Sequence, residues 1–260
     1  MELRSPTEIV QEYLLAIQEY TTLSLQAVAN LVRRPRYLGE TLMQADSIGV
    51  GSLPVVIMTG FSIGAVLALQ SSNTLQRFGS LSLTGQLVSL TMVRELGPVL
   101  SGLMVSGRNS SGMASELGSM KVTEQIDAMR ALGTDPTKKL VTPRLIASTF
   151  MLLILTVIAD LVGLGGGWLV ARLALGLDSN QYWSTAWQSL QFPDVFMGLT
   201  KPLLFGFIIG SIGCYYGMSA KGGTQGVGRA TTQAVVAASV LIVIVDFFYT
   251  KALMVFMHVH

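Results

Sequence analysis

Long apolar segments recur along this chain, and the shorter segments between them carry most of its charged residues. Each apolar segment is long enough to cross about 30 Å of hydrocarbon, for which a helix needs roughly 20 residues. The pattern therefore predicts five transmembrane helices. Their approximate bounds are 48–76, 81–107, 145–171, 195–220 and 230–250.

The composition points to the same class of protein. Half of the 260 residues are hydrophobic and only 12% are charged, which is far more apolar than a soluble domain of this length. No repeat or linker divides the chain, so we expect an all-α membrane protein that forms one domain over residues 1–260. The single cysteine, Cys214, excludes a disulfide within the chain.

The segment before the first span, residues 1–47, has apolar residues near helical spacing among acidic ones. This pattern predicts an amphipathic helix that lies in the cytoplasmic interface of the membrane. The alternative is an ordinary helix that covers the transmembrane bundle. The apolar positions that define the helix are Ile9, Val10, Tyr13, Leu14, Ile17, Ala27, Val28 and Leu31.

The connection between the second and third spans, residues 108–144, is the most basic in the chain. From Glu116 to Leu132, apolar residues recur mostly at three-residue steps with charged residues between them, which predicts a short amphipathic helix. Gly133 is the expected end of this helix. Such a helix is suited to docking in a groove of a soluble partner. The alternative is a solvated helix that only covers the bundle.

Three charged residues, Arg94, Glu95 and Lys201, lie inside predicted spans. Each costs about 2.5–3.5 kcal/mol near the bilayer centre, so each should face protein or a wet cavity. Neighbours on a helix point about 100° apart, so Arg94 and Glu95 cannot simply neutralise one another. Lys201 is therefore the candidate partner of Glu95. These charges form either a structural ion pair that holds spans two and four together or a polar site in a cavity. Pro98 predicts a kink beside them. Two further intramembrane acids are interpreted as structural, namely Asp160 and Asp246.

The distribution of Lys and Arg predicts the orientation, because these residues are retained preferentially on the cytoplasmic side. Twelve lie in connections on one face and three on the other. The N-terminus is therefore expected inside and, with five spans, the C-terminus outside. The twelve are Arg4, Arg33, Arg34, Arg36, Arg108, Lys121, Arg130, Lys138, Lys139, Arg144, Lys221 and Arg229, and the three are Arg77, Arg172 and Lys251.

Several catalytic motifs can be excluded. The run 60–64 has the spelling of a nucleophile elbow but lies in an apolar span, outside the strand-turn-helix context that this motif needs. The glycine-rich run 222–228 lacks the Gly-Lys-Ser/Thr ending of a phosphate-binding loop, and His258 and His260 stand at the extreme C-terminus. We expect no cofactor, metal or nucleic acid on this chain, and any ATP must be bound by another subunit.

Three motifs together carry a family resemblance. The run from Glu116 to Met129, ELGSMKVTEQIDAM, occurs with RELGP at 94–98 and GRATT at 228–232. In this combination the chain closely resembles the MlaE/YrbE family of permeases, from about residue 40 to residue 255. One departure is Ser110, which stands where the family commonly has the last glycine of a small-Gly-Arg-x-Gly motif.

The resemblance implies the homodimeric membrane core of an ATP-binding-cassette lipid transporter. Its expected partners are a second copy of the chain, a cytoplasmic ATPase dimer, often a small STAS-domain subunit, a periplasmic ring of MCE-domain proteins, and phospholipid. The resemblance maps Glu95 and Lys201 to the central lipid cavity, and Arg94 joins them as a candidate substrate-binding residue. It also maps the 116–129 run to a coupling helix that rests on the ATPase. The candidate coupling residues are Glu116, Lys121, Glu124, Gln125 and Asp127.

We therefore expect a transport subunit, and not an enzyme, in the bacterial inner membrane. Its expected function is to move phospholipids between that membrane and a periplasmic MCE-protein carrier system, which maintains the lipid asymmetry of the outer membrane. Two alternatives from other classes stay open on the residues alone. One is an ion-coupled secondary transporter that uses Arg94, Glu95 and Lys201 as a relay, and the other is a membrane scaffold that transports nothing.

Overall fold

The computed structural model describes residues 6–31 and 37–257, and the regular structure in these ranges is helical throughout. Five helical segments are long and apolar enough to cross a membrane, which confirms the predicted fold class and number of spans. These spans are Leu38–Arg77, Leu81–Val122, Thr137–Leu173, Phe192–Met218 and Gly223–Phe256. The sequence predictions that fall outside the described residues or side chains concern Arg4, Ile9, Val10, Tyr13, Arg33, Arg34, Arg36, His258 and His260.

Ten α-helices make up the described chain. They are α1 (Pro6–Ala29), α2 (Leu38–Arg77), α3 (Thr84–Thr91), α4 (Gly97–Val105), α5 (Ser111–Val122), α6 (Gln125–Ala131), α7 (Thr142–Leu173), α8 (Ser179–Ser189), α9 (Phe192–Met218) and α10 (Gly223–Met257). A 3-10 turn, Leu81–Leu83, precedes α3. Two π-turns, Met92–Leu96 and Ser106–Ser110, join α3 to α4 and α4 to α5, and a third, Thr137–Val141, leads into α7. The second span is therefore helical along its whole length.

The helices extend further than the apolar segments from which the spans are predicted. The helix of the second span continues past 107 to Val122, and the helix of the third begins at Thr137, before the apolar segment that starts at 145. Polar residues mark the place where the hydrocarbon ends. A helix satisfies its own backbone hydrogen bonds, however, and can continue into water without losing them.

The prediction of one helix from Glu116 to Leu132 is wrong. The chain leaves α5 at Thr123 and turns through Glu124, whose φ of 60° lies in the left-handed region, before α6 begins. Non-glycine residues rarely adopt this conformation, and the helical spacing of the sequence does not reveal it. Gly133 does end α6 as predicted, with a φ of 76° and an N–H that donates to the carbonyl of Arg130 at 3.0 Å.

Spans one and three pack with their backbones in direct contact. A Cβ atom on Gly64 of α2 would overlap the carbonyl of Gly163 on α7, and one on Gly60 would lie 2.9 Å from the carbonyl oxygen of Ala159. Small residues at four-residue spacing allow this close approach within a membrane. The pair forms a rigid unit against which the second and fourth spans pack.

The N-terminal helix α1 docks on α9. Its Tyr20 hydroxyl is hydrogen bonded to Ser211 Oγ at 2.9 Å, and Ala27 is buried. On other parts of α1, Leu14 and Leu25 are more than half exposed. The helix therefore covers the bundle, as the alternative interpretation predicts, and it also keeps the exposed apolar side chains of an interfacial helix.

An additional helix, α8, lies between spans three and four. Asp178 Oδ2 accepts hydrogen bonds from the N–H groups of Asn180 at 3.1 Å and Gln181 at 3.2 Å, which caps the helix. Tyr182 is buried, and its hydroxyl donates to the carbonyl of Leu164 at 3.1 Å. An aspartate before a run with two tryptophans was the available sequence signal for this helix.

Candidate functional site

The proline in the second span leaves a backbone carbonyl without its helical donor. Pro98 has no N–H, so the carbonyl of Arg94, four residues earlier, loses its usual partner. Lys201 of α9 replaces that donor, because its Nζ donates to this carbonyl oxygen at 2.9 Å. The predicted irregularity is thus a π-turn, Met92–Leu96, that a side chain from another span stabilises.

Lys201 is the centre of a charged cluster. Its side chain is fully buried, and Nζ lies 2.5 Å from Glu95 Oε2 and 3.1 Å from Asp246 Oδ1. The Thr250 hydroxyl donates to Glu95 Oε1 at 3.5 Å. The predicted pairing of Glu95 with Lys201 is confirmed. Two carboxylates and one carbonyl surround a single ammonium, so the buried cation is compensated.

Arg94 has a different partner. Its Nε donates to Asp194 Oδ1 at 2.5 Å, and its Nη2 pairs with the same oxygen. Asp194 is buried at the start of α9, where it also accepts the N–H of Gln191 at 2.9 Å. Sequence reasoning missed this pair, because its members are 100 residues apart. An acid directly before the predicted span 195–220 was its only sequence signal.

A cavity of about 530 Å³ adjoins the charged cluster. Its polar lining comes from Glu95 of the second span and from Asp246, Thr250 and Lys251 of α10. The remaining lining residues are apolar, namely Val243, Phe247, Met254 and Val255. A cavity whose lining combines charged and apolar side chains can hold an amphiphile.

The predicted substrate-binding residues occupy different places around this cavity. Glu95 lines it, whereas the buried Lys201 lies behind Glu95 and Asp246. Arg94 turns toward Asp194. Asp246, which the sequence interpretation treats as structural, belongs to the cavity wall, and its signal is the four-residue spacing to Thr250 on one face of α10. A role of Arg94, Glu95 and Lys201 in substrate binding stays a prediction.

A second candidate surface is the turn between α5 and α6. Ile126 is fully buried and anchors α6 to the bundle. Glu124 and Gln125 are exposed, and Leu132 after α6 is 83% exposed. This unit therefore exposes polar and apolar side chains, as a surface suited to docking does.

The other predicted coupling residues have partners within the chain. Asp127 lies 2.9 Å from Lys121 Nζ and 3.0 Å from Arg130 Nη1. The hydrogen bond from Lys121, reinforced by the charges of Lys121 and Arg130, lowers the pKa of Asp127 below its ordinary value. Glu116 Oε1 pairs with Nη2 of the buried Arg144 at 2.7 Å. Contact of any of these residues with another protein stays a prediction.

A multi-pass helical bundle with a charged intramembrane cavity and a folded unit between spans two and three has the architecture of a transporter permease. The family model described as Permease MlaE matches residues 41–252. The chain belongs to the MlaE permease family, and it is a permease subunit of an ABC transporter.

Relatives that are named as transporter permeases align with most of the chain. A probable ABC transporter permease protein of Rickettsia typhi is 45% identical over 234 residues, which are 90% of each chain. A probable ABC transporter permease protein of Synechocystis is 38% identical over 208 residues, 80% of this chain and 79% of that protein. The intermembrane phospholipid transport system permease protein MlaE of Haemophilus influenzae is 34% identical over 208 residues, 80% of each chain.

Proposed function

We propose that this permease moves phospholipids between the inner membrane and a periplasmic MCE-protein carrier system, and so maintains the lipid asymmetry of the outer membrane. The observation that carries the proposal is the cavity beside Glu95, whose lining combines charged and apolar side chains. A phospholipid likewise combines a charged head group with apolar acyl chains. The name of the Haemophilus influenzae relative supports this substrate class, and the family assignment favours ABC transport over a secondary transporter or a scaffold.

In the proposed mechanism the charged and the apolar side chains of the cavity bind different parts of the lipid. Lys251 is exposed at the cavity and attracts the phosphate. Glu95 and Asp246 attract a cationic head group, while Lys201 holds both carboxylates in place from behind. The acyl chains contact the apolar side chains, which include Phe247. The irregular backbone at Pro98 fits this role, because such backbone occurs inside membranes where protein encloses it or a cavity adjoins it.

The proposed assembly contains two copies of the chain, an ATPase dimer that binds and hydrolyses ATP, an MCE-domain ring, and in some systems a STAS-domain subunit. The exposed apolar face of α10, which includes Val236, Val240 and Ile244, is the proposed contact with the second copy. The N-terminus is cytoplasmic and the C-terminus periplasmic in this proposal, in keeping with the excess of basic residues on one face. The α5–α6 turn then faces the ATPase.

Replacing Glu95 with leucine should abolish most lipid transfer while the protein still folds. The variant loses one cavity carboxylate, and Lys201 keeps Asp246 as its counter-ion, so the bundle stays assembled. We expect transfer to fall at least about tenfold, the effect of losing one charge-assisted hydrogen bond. The measurement is phospholipid transfer between liposomes by the reconstituted complex, with thermal stability recorded in parallel.

Thr200→Val is the matched control, because Thr200 precedes Lys201 on the same helix and its hydroxyl donates to the carbonyl of Phe196 on that helix, at 2.8 Å. This control should transfer lipid at the wild-type rate. Full transfer by Glu95→Leu would show that Glu95 does not take part in binding the lipid. A wild-type complex that hydrolyses ATP but moves no phospholipid would overturn the proposed function itself.

The proposed ATPase contact predicts a second result. Combining Glu124→Lys with Leu132→Asp changes two exposed side chains around α6 and leaves its buried Ile126 in place. We expect ATPase copurification with the permease to fall about tenfold or more, because interface charge reversal and loss of an apolar contact both weaken docking. Quantitative pull-down from solubilised membranes measures it.

The control for this experiment is Glu40→Lys, an exposed charge reversal in the first turn of α2. It should retain the ATPase fully. Equal ATPase recovery from the double variant and the wild type would favour the interpretation of α6 as a solvated cover of the bundle.

A further inference from the structure

A second, smaller cavity lies between α2 and the segment that leads into α5. Its volume is about 260 Å³. Four polar side chains line it together with Ile48, Gly112 and Met113, and these polar residues are Gln44, Ser47, Arg108 and Asn109. Glu116 completes the lining. None of these residues contributes to the cavity beside Glu95, so the two cavities are separate sites among the described residues.

Arg108 is held with part of its guanidinium free. Nη1 donates to the carbonyl of Ser47 at 3.0 Å and to Ser52 Oγ at 3.3 Å. Gly51 makes room for it, because a Cβ atom there would overlap the guanidinium. Within the described residues these bonds come from Nη1 alone, and the residue is exposed. Nη2 and Nε can therefore donate to an anion, and a planar guanidinium suits a phosphate.

Glu116 presents the opposite charge to the same cavity. Its Oε1 pairs with the buried Arg144 at 2.7 Å, which fixes the carboxylate in place. The side chain is 55% exposed, so Oε2 can accept a hydrogen bond from a second cation. Glu116 and Arg108 are eight residues apart along one helical path, which separates their Cα atoms by about 12 Å along the helix axis. Both side chains line the same cavity, so a head group with a phosphate at one end and an ammonium at the other can contact both.

The position of the cavity points to a membrane lipid. It lies where the apolar part of α2 begins, with Met43 and Val50 exposed on the same helix. Exposed apolar side chains next to a charged cavity are the surroundings of a lipid head group at a membrane interface. In the proposed orientation this end of α2 lies on the cytoplasmic side.

We propose that this cavity binds the head group of a cytoplasmic-leaflet phospholipid that carries a primary ammonium, as phosphatidylethanolamine does. The phosphate binds Arg108 and the ammonium binds Glu116. The bound lipid connects the start of the first span to the cytoplasmic end of the second. This site is additional to the transport cavity, and its occupancy does not depend on transport.

Native mass spectrometry of the complete chain in detergent tests the proposal. Phosphatidylethanolamine and phosphatidylglycerol with identical acyl chains are titrated separately, and glycerophosphoethanolamine and inorganic phosphate serve as head-group and anion probes without acyl chains. We expect tighter binding of phosphatidylethanolamine than of phosphatidylglycerol. Arg108→Gln should weaken both lipids roughly tenfold or more, and Glu116→Gln should weaken phosphatidylethanolamine alone.

Two glycine variants test the cavity without changing any charged residue. A Cβ atom added at either Gly112 or Gly107 meets nothing within 4 Å, and both glycines are exposed, so we expect both leucine variants to fold. Gly112 lines the cavity and Gly107 does not. Gly112→Leu should therefore remove the phosphatidylethanolamine bound at this cavity, one bound lipid fewer than in the wild type, and Gly107→Leu should preserve it.

Several results would overturn the proposal. Unchanged lipid binding by both Arg108→Gln and Gly112→Leu would show that the cavity holds no lipid. Equal binding of the two lipids by the wild type would show that Glu116 does not bind the ammonium of the head group. Binding of inorganic phosphate or glycerophosphoethanolamine as tightly as the lipid would show a site for soluble phosphate esters instead.

Discussion

Lys201→Met should lower the free energy of unfolding by about 3–5 kcal/mol, the usual loss when one partner of a buried ion pair is removed. The substitution keeps an unbranched apolar side chain of similar length but removes the ammonium. Glu95 and Asp246 would then face each other without a cation, and the carbonyl of Arg94 would lose its donor. Denaturant unfolding of the purified protein in detergent measures the change.

Lys251→Met is the matched control, because Lys251 is an exposed cation at the same cavity. It should change stability by about 0–1 kcal/mol. Neutralising the whole cluster with Glu95→Gln, Lys201→Met and Asp246→Asn should recover much of the lost stability, since no unpaired charge remains buried. Similar losses in Lys201→Met and Lys251→Met would contradict the central position of Lys201.

Gly64→Ala should destabilise the bundle by about 3 kcal/mol, at the upper end of the range for overpacking. The added methyl group would overlap the carbonyl of Gly163, and a backbone atom cannot move away as a flexible side chain can. Spans one and three would have to separate along their shared surface. The measurement is again unfolding in detergent, together with the yield of folded protein.

Gly165→Ala provides the comparison for this prediction. Gly165 lies on α7 two residues after Gly163, and a Cβ atom there meets nothing within 4 Å. Alanine has the higher helix propensity, so this variant should be as stable as the wild type or slightly more stable. Equal stability of the two variants would show that the α2–α7 contact can relax.

Composition and periodicity are enough to predict the spans, the irregular turn and the pairing of Glu95. Five apolar segments give five spans because the hydrocarbon sets their length. Pro98 predicts an irregular turn because it lacks an N–H, and Lys201 is the expected partner of Glu95 because an intramembrane charge requires one. Each of these predictions depends on residues close in sequence or on a cost that the membrane imposes on any charge.

The remaining features depend on tertiary contacts that periodicity does not contain. Asp194 and Asp246 gain their roles from Arg94 and Lys201, which lie on other helices. The left-handed turn at Glu124 divides a run of residues whose spacing suits one helix, because the packing of Ile126 outweighs local preference. The helical extension to Val122 is also unpredictable from hydropathy, since hydropathy describes whether a residue prefers water or hydrocarbon and not its backbone conformation.

That extension has a mechanical consequence. From Glu95 to Val122 the backbone forms one continuous helical segment, which is about 40 Å long at 1.5 Å per residue. A displacement applied at the cytoplasmic end of α5 therefore has a helical path to the cavity wall with no loop in it. The π-turn Ser106–Ser110 lies on this path and is a short interruption of regular helix geometry. A bend at this turn would reduce the displacement that reaches the charges around Lys201.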